Sequence, residues 1–154
     1  LDINVLDKFI EDINIAGSIF SKANKVLCYH NHALEFQKIN KEIILERIYK
    51  NTNNIYIQGE PDVYWIQKGG HDPISWCKKL KNRLPLIHLK DFIMLNEHKS
   101  YYAEIGNGNL DIKNIIKEAK LSGCKWYIVE QDECQGDPFI SIETSFNNLL
   151  DFVT

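Results

Sequence analysis

Three short apolar runs end abruptly in side chains that bind cations or move protons. Val26-Leu27-Cys28-Tyr29 runs into His30-Asn31-His32. Leu86-Ile87 runs into His88-Leu89-Lys90-Asp91, and Trp126-Tyr127-Ile128-Val129 runs into Glu130-Gln131-Asp132. A fourth and weaker run, Ile55-Tyr56-Ile57, leads to Glu60 and Asp62. Imidazole and carboxylate groups from separate segments make a mixed nitrogen and oxygen donor set. That set suits a divalent cation such as Mn²⁺, Zn²⁺, Co²⁺ or Mg²⁺ and selects poorly among them. Such an ion polarises a carbonyl or hydroxyl oxygen, and a neighbouring carboxylate or His moves the proton.

The runs read as strands, at 26–30, 55–59, 84–89 and 125–130, and helices alternate with them. Leu6, Phe9, Ile10, Ile13, Ala16, Gly17 and Phe20 recur at helical spacing over 5–23. Asn40 is expected to cap a helix through Tyr49, with Ile44, Leu45 and Ile48 inward. Asp72-Pro73, a capping residue followed by proline at the first helical position, opens a helix through Leu80. Asn109 or Asp111 caps a helix holding Ile112, Ile115, Ile116 and Ala119, which Gly123 ends. Ser141 is expected to cap the last helix. The segment 92–108 is the longest stretch without a pattern, and long loops in compact domains are often functional.

Strict strand–helix alternation predicts an α/β fold with a parallel sheet and right-handed crossovers. In such folds ligands and catalytic groups gather at the C-terminal ends of the strands, where all four runs place their polar residues. A complete (β/α)8 barrel takes roughly 250 residues, and this chain has 154. The expectation is one domain over 1–154. It is the C-terminal half of a TIM barrel, with four strands and about five helices, and its N-terminal half is absent. Four strands with an open edge need cover, from that missing half or from a second copy in a homodimer.

Hydrophobic residues make up 44% of the chain and charged ones 25%, with a formal net charge of -3. That composition supports a real core. It offers no basic field for a nucleic-acid backbone, so nucleic acid is not an expected partner. No run approaches a membrane span and no signal peptide is visible, so the expected location is cytoplasmic with no membrane partner. Cys28, Cys77, Cys124 and Cys134 show no paired spacing and read as reduced, wholly or partly buried thiols.

Side-chain alternation along a strand decides which groups share a face. Cys28, His30 and His32 share one, as do Leu86, His88 and Lys90, then Trp126, Ile128, Glu130 and Asp132, and Glu60 with Asp62. Assigned to the barrel interior, the polar members cluster at one mouth. A single strand-end His is more often a hydrogen-bonded residue than a ligand. The set of Asp62, His88 and Glu130 on three strand ends favours a metal. His30 reads equally as a ligand or as a partner behind the ligands, and Glu35, past the strand end, as a substrate contact. Lys90 faces inward, paired with Asp91 or Glu130 or holding a substrate oxygen. Trp65 and Tyr64 form either a stacking wall for a ring or part of the core. His71 and His98 read as solvated loop residues. Gly106-Asn107-Gly108 reads as a plain turn ahead of an anion cradle.

The order of these motifs resembles the sugar phosphate isomerase/epimerase family, the xylose-isomerase-like TIM barrels. The resemblance rests on Tyr29-His30-Asn31-His32 with Glu35-Phe36, and on Asp62-Val63-Tyr64-Trp65 with Gly69-Gly70-His71-Asp72-Pro73. Further along it rests on Leu86-Ile87-His88-Leu89-Lys90-Asp91, Glu104-Ile105-Gly106-Asn107-Gly108 and Val129-Glu130-Gln131-Asp132. It runs from about residue 26 to the end and covers only half of the family's barrel. It implies one divalent metal held from four strands, with Asp62, His88 and Glu130 at three ligand positions. The fourth is usually a Glu on the strand that here ends in His30, which leaves that position open between His30 and Glu35. It implies a metal-dependent isomerase or epimerase acting on a keto-sugar, sugar phosphate or cyclitol. Glu130, Glu35 and His32 would then be the proton-moving groups, and Trp65 and Lys90 would meet the substrate.

Three rivals stand beside that reading. A keto-sugar lyase or dehydratase would use the same chemistry and end in elimination. A half-barrel that folds or dimerises without turnover needs no catalytic role. An abasic-site DNA endonuclease of similar fold is opposed by the acidic balance, and by Trp65 where those enzymes place a His three residues after the Asp.

Overall fold

Asp2 starts the fold by accepting the Asn4 backbone N–H at 2.8 Å, which caps the N-terminus of α1 (Ile3–Lys22). A computed structural model describes residues 2–97 and 99–153. His98 therefore lies outside the described residues. One stripe of α1, Leu6 and Ile10, packs on Ile44 and Ile48 of α2 (Ile44–Asn51).

The four expected strands form and pair in parallel. β1 (Leu27–His30) lies beside β4 (Ile57–Glu60) in the register Leu27↔Ile57 through His30↔Glu60. β5 (Leu86–Leu89) lies beside β8 (Trp126–Val129), from Leu86↔Trp126 to Leu89↔Val129. The two pairs join just past β4. There Asp62 bridges to His88, and the His88 N–H donates to the Pro61 carbonyl at 3.0 Å. The strand order is thus β1-β4-β5-β8.

One face of this arc is covered by helices. Ile87 and Leu89 are fully buried there with Ile66, Trp76, Ile112 and Ile115. These come from α3 (Val63–Lys68), α4 (Pro73–Lys79) and α5 (Ile112–Leu121). Each fully buried aliphatic side chain contributes about 1.5–3 kcal/mol. The other face, which would be a barrel's interior, stays open. Leu86 and His88 are half-buried, and Trp126 and Ile128 are 68% and 39% exposed.

Several local expectations are corrected. Asn40 caps nothing. With φ of 51° it forms, with Lys41 at 71°, the tight turn between β2 (Lys38–Ile39) and β3 (Glu42–Ile43), and the helix begins only at Ile44. Both positive φ values match the twist of a two-residue hairpin. The segment 92–108 is largely ordered as an antiparallel hairpin, β6 (Asp91–Asn96) and β7 (Lys99–Ala103). The last helix, α6 (Pro138–Val153), starts before Ser141, and Asp137 accepts the Phe139 N–H at 2.9 Å. Ser141 instead donates its hydroxyl to Glu104 at 2.7 Å. Asp111, not Asn109, caps α5. The short α3 has no counterpart in the sequence pattern. Asp72-Pro73 opens α4 as expected. All four cysteines are free thiols, with Cys77 and Cys124 buried.

Candidate metal centre

Asp62 is the best-anchored group of the site. It is fully buried, and its Oδ1 accepts the backbone N–H groups of Tyr64 at 2.9 Å and Trp65 at 3.2 Å as the cap of α3. The Asn31 side-chain oxygen receives the Asp62 N–H at 3.2 Å. One carboxylate oxygen is thus fixed by the fold. The other, Oδ2, is turned toward His30 Nε2 at 3.4 Å and Lys90 Nζ at 3.5 Å.

His88, the third residue of β5, lies between two carboxylates. Its Nδ1 is 2.9 Å from Glu130 Oε2 and its Nε2 is 2.8 Å from Glu60 Oε1. Glu130 follows β8 directly, and its N–H donates to the Leu89 carbonyl at 3.0 Å, so the sheet ladder sets its place. His30 ends β1 opposite Glu60, and its ring centroid is 4.7 Å from that of His88. One ligand atom from each of His30, Asp62, His88 and Glu130 can be chosen so that all lie within 4.8 Å of one another. That spacing and donor chemistry fit a single divalent ion.

Lys90 is 2% exposed and sits among three carboxylates, Asp132 at 2.9 Å, Glu130 at 3.1 Å and Asp62 at 3.5 Å. The rings of Trp65, Tyr102 and Tyr64 close around its ammonium at 5.4, 5.8 and 6.0 Å. The charges tune one another. Burial works against the Lys90 ammonium, but Asp132, Asp62 and Glu130 outweigh it and raise its pKa. Burial likewise opposes ionisation of Glu130, yet the bonds from Lys90 and His88 hold its carboxyl below the usual range. The Asp62 bond raises His30 against the effect of burial.

The remaining sequence candidates fall at the margins. Glu35 is not in the donor group. Its Oε1 accepts the Tyr29 hydroxyl at 3.2 Å and its Oε2 the His32 backbone N–H at 2.8 Å, which closes a capping box on the 3-10 turn Ala33–Phe36. Of the two residues open for the fourth place, His30 is the one that joins. His32 is exposed, with its ring 5.2 Å from the Trp65 ring. Trp65 is half-buried, and its indole N–H is buried without a hydrogen-bond partner among the described residues. His71 is half-buried against Phe36, 4.8 Å between ring centroids, rather than freely solvated.

Asp91 does not pair with Lys90. It is fully buried and points away into the loop. It accepts the backbone N–H groups of Phe92, Gly106, Gly108 and Leu110 at 2.8–3.2 Å. The Gly106-Asn107-Gly108 turn therefore holds the chain's own carboxylate. A side chain at Gly108 would run into Asp91. Sequence reasoning gives Glu60 and Asp132 no role, although each shares strand parity with an assigned neighbour. Tyr102, whose ring lies 5.8 Å from the Lys90 ammonium, comes from the β6–β7 hairpin, and no pattern in the sequence announces it.

No protein-family model matches the chain. An inosose dehydratase from Clostridium tetani is 26% identical in an alignment 145 residues long that covers 82% of this chain and 47% of that protein. A crystal structure of a sugar phosphate isomerase/epimerase from Parabacteroides distasonis superposes with a TM-score of 0.79 and 32% identity, over 92% of this chain and 50% of that one. An IOLI protein solved with a bound zinc atom superposes at 0.51 with 11% identity, over 99% of this chain and 72% of that one. The structural neighbours of this chain are sugar phosphate isomerase/epimerase and xylose isomerase-like TIM barrel proteins, as the motifs imply. The chain has the parallel (β/α) fold of those barrels and spans about half the length of the curated relative and of the first solved structures it matches. Among the described residues, no helix is long and apolar enough to cross a membrane.

Proposed function

We propose that this chain carries the metal centre of an isomerase or epimerase acting on a keto-sugar, sugar phosphate or cyclitol. The reading rests on the convergence of His30, Asp62, His88 and Glu130 within 4.8 Å, each from a different strand end. These four residues would hold Mn²⁺, Zn²⁺, Co²⁺ or Mg²⁺. When bound, the ion supplies a Lewis acid for a substrate carbonyl or hydroxyl oxygen.

The chain's own residues do the rest. Asp62, fixed through Oδ1 by the N-terminus of α3, keeps its Oδ2 aimed into the site. Glu130 is held ionised by Lys90 and His88, and it is 39% exposed, so it can reach a bound molecule. It takes the proton from the carbon next to the substrate carbonyl. Return of a proton to the opposite face of that carbon gives an epimer, and return to the neighbouring carbon gives an isomer. Lys90 is too buried to be a simple surface contact and acts through Glu130 and Asp132. Trp65 offers a ring face beside His32 for a sugar to lie on. His32 and Glu35 stand at the rim, His32 as a second proton carrier and Glu35 as the group that sets its backbone.

The match to an inosose dehydratase favours a second ending to the same start. After proton abstraction, departure of a β-hydroxyl as water gives an alkene in place of an epimer. The half-length match leaves a third reading, in which the chain folds or pairs without turnover.

One experiment separates the three. Keto-sugars and inososes are incubated in deuterium oxide with Mn²⁺ and with this chain, or with a longer chain containing it. Deuterium appearing at the carbon next to the carbonyl supports proton transfer, and loss of water from the product assigns the dehydratase. Glu130→Gln should cut exchange by about 10²–10⁴-fold. No exchange by either chain with any substrate leaves only the third reading.

A further inference from the structure

Lys90 contacts two of the carboxylates that would hold a divalent ion. Its ammonium is 3.1 Å from Glu130 Oε2 and 3.5 Å from Asp62 Oδ2. Both residues belong to the candidate donor group. A third contact, to Asp132 at 2.9 Å, is the shortest, and Asp132 is not in that group. The rings of Trp65, Tyr64 and Tyr102 wall the ammonium in, so it has little freedom to swing out to water.

We propose that Lys90 is a built-in cation that competes with a divalent ion for Glu130 and Asp62, and that Asp132 is the carboxylate that draws Lys90 off them. The inference rests on the metal-centre reading above and adds to it a determinant of affinity. Without an ion, three carboxylates gathered around one point repel one another, and the buried ammonium offsets that repulsion. With an ion, the same ammonium becomes an unfavourable neighbour a few ångströms away. Lys90 thus keeps the unloaded centre assembled at the expense of binding strength. Asp132 limits that expense by giving the ammonium a partner that the metal does not need.

The experiment is titration of the chain with Mn²⁺ and with Zn²⁺, reading the dissociation constant by calorimetry and the rise in Tm at saturating metal. The near-isosteric Lys90→Met should bind roughly tenfold or more tightly than the parent, the effect of one fewer cation about 4 Å from a divalent ion even in strongly screening surroundings. Its Tm without metal should fall, and its rise on loading should exceed the parent's. Asp132→Asn, at a side chain 37% exposed, should shift affinity the other way and weaken binding several-fold. If Lys90→Met unfolds without metal, recovery of the fold on adding Mn²⁺ is the same result in another form. Parent-like affinity in Lys90→Met with clear binding by the parent overturns the competition and leaves the metal centre standing. Tighter binding by Asp132→Asn overturns the role of Asp132. No binding by the parent or by either variant removes both this inference and the metal centre beneath it.

Discussion

Asp91 shows how much a single carboxylate can organise. Among the described residues it is buried without a cationic partner, and it accepts four backbone N–H groups, that of Phe92 beside it and three from the turn that precedes α5. Burial pushes its carboxyl up, while the four N–H groups pull the other way and favour the ionised form. Asp91→Ala should therefore lower stability by about 2–4 kcal/mol, because several buried donors lose their acceptor together. Urea unfolding of the two chains measures it, and a difference below about 0.5 kcal/mol, the range of ordinary surface changes, contradicts the assignment. Adjacency in sequence makes Asp91 look like the partner of Lys90. Alternation in fact sends adjacent side chains to opposite faces, and the extended segment from β5 into β6 delivers His88 and Lys90 to one side and Asp91 to the other. The same alternation makes Asp62, His88 and Glu130 legible in the sequence. It gives a face but not a distance, so the choice of His30 over Glu35 and the place of Glu60 beside His88 emerge only from the folded chain.

At the scale of elements, the hydrogen bond from Ser141 to Glu104 ties the end of β7 to α6. That bond is the main reason the Glu104 carboxyl lies below its ordinary pKa of 4.5. A carboxylate with a depressed folded pKa adds stability above its unfolded value, and that stability is lost as the pH falls through the folded one. The parent chain should therefore lose this contribution below about pH 4.5, and Ser141→Ala should lose less over the same interval. Glu104 is only half-buried, so the difference between the two chains is at most about 1 kcal/mol. Urea midpoints at about pH 6 and about pH 3.5 read it, and parallel curves for the two chains would refute the link. In the sequence Ser141 reads as a helix cap, the commonest use of a serine at that kind of boundary. Asp137 takes the cap four residues earlier because Pro138 fits the first helical turn. The strands and long helices are legible from their periods. The two hairpins and α3 are not: α3 and the two-residue strands of the first hairpin are too short to carry a period, and the second hairpin interrupts the strand–helix alternation.

The whole molecule leaves apolar surface where a barrel would bury it. Trp126 and Ile128 line the open face of the sheet. Among the described residues, β1 and β8 each have one unpaired edge. Phe139 and Phe146 on α6, and Val5 and Ile19 on α1, are more than half exposed. Parallel sheets are normally buried on both faces, and unpaired edges recruit other chains. The chain spans about half of the barrels it matches, so two copies supply the length of one. We expect the 154-residue chain to associate as a symmetric dimer, with β1 of one copy beside β8 of the other at two equivalent seams. Light scattering at low micromolar concentration should then return twice the 17.9 kDa of one chain. A monodisperse monomer that unfolds cooperatively would rule the dimer out.

Strand ends of this chain are expected to converge on one divalent ion. Metal content tests it most directly, measured by elemental analysis on protein purified without chelator and desalted after exposure to Mn²⁺ or Zn²⁺. The parent should hold about one ion per chain, and the chain with Asp62, His88 and Glu130 all replaced by alanine close to none, the loss expected when most of the ligands are removed. Equal metal content in the parent and the triple variant would contradict it.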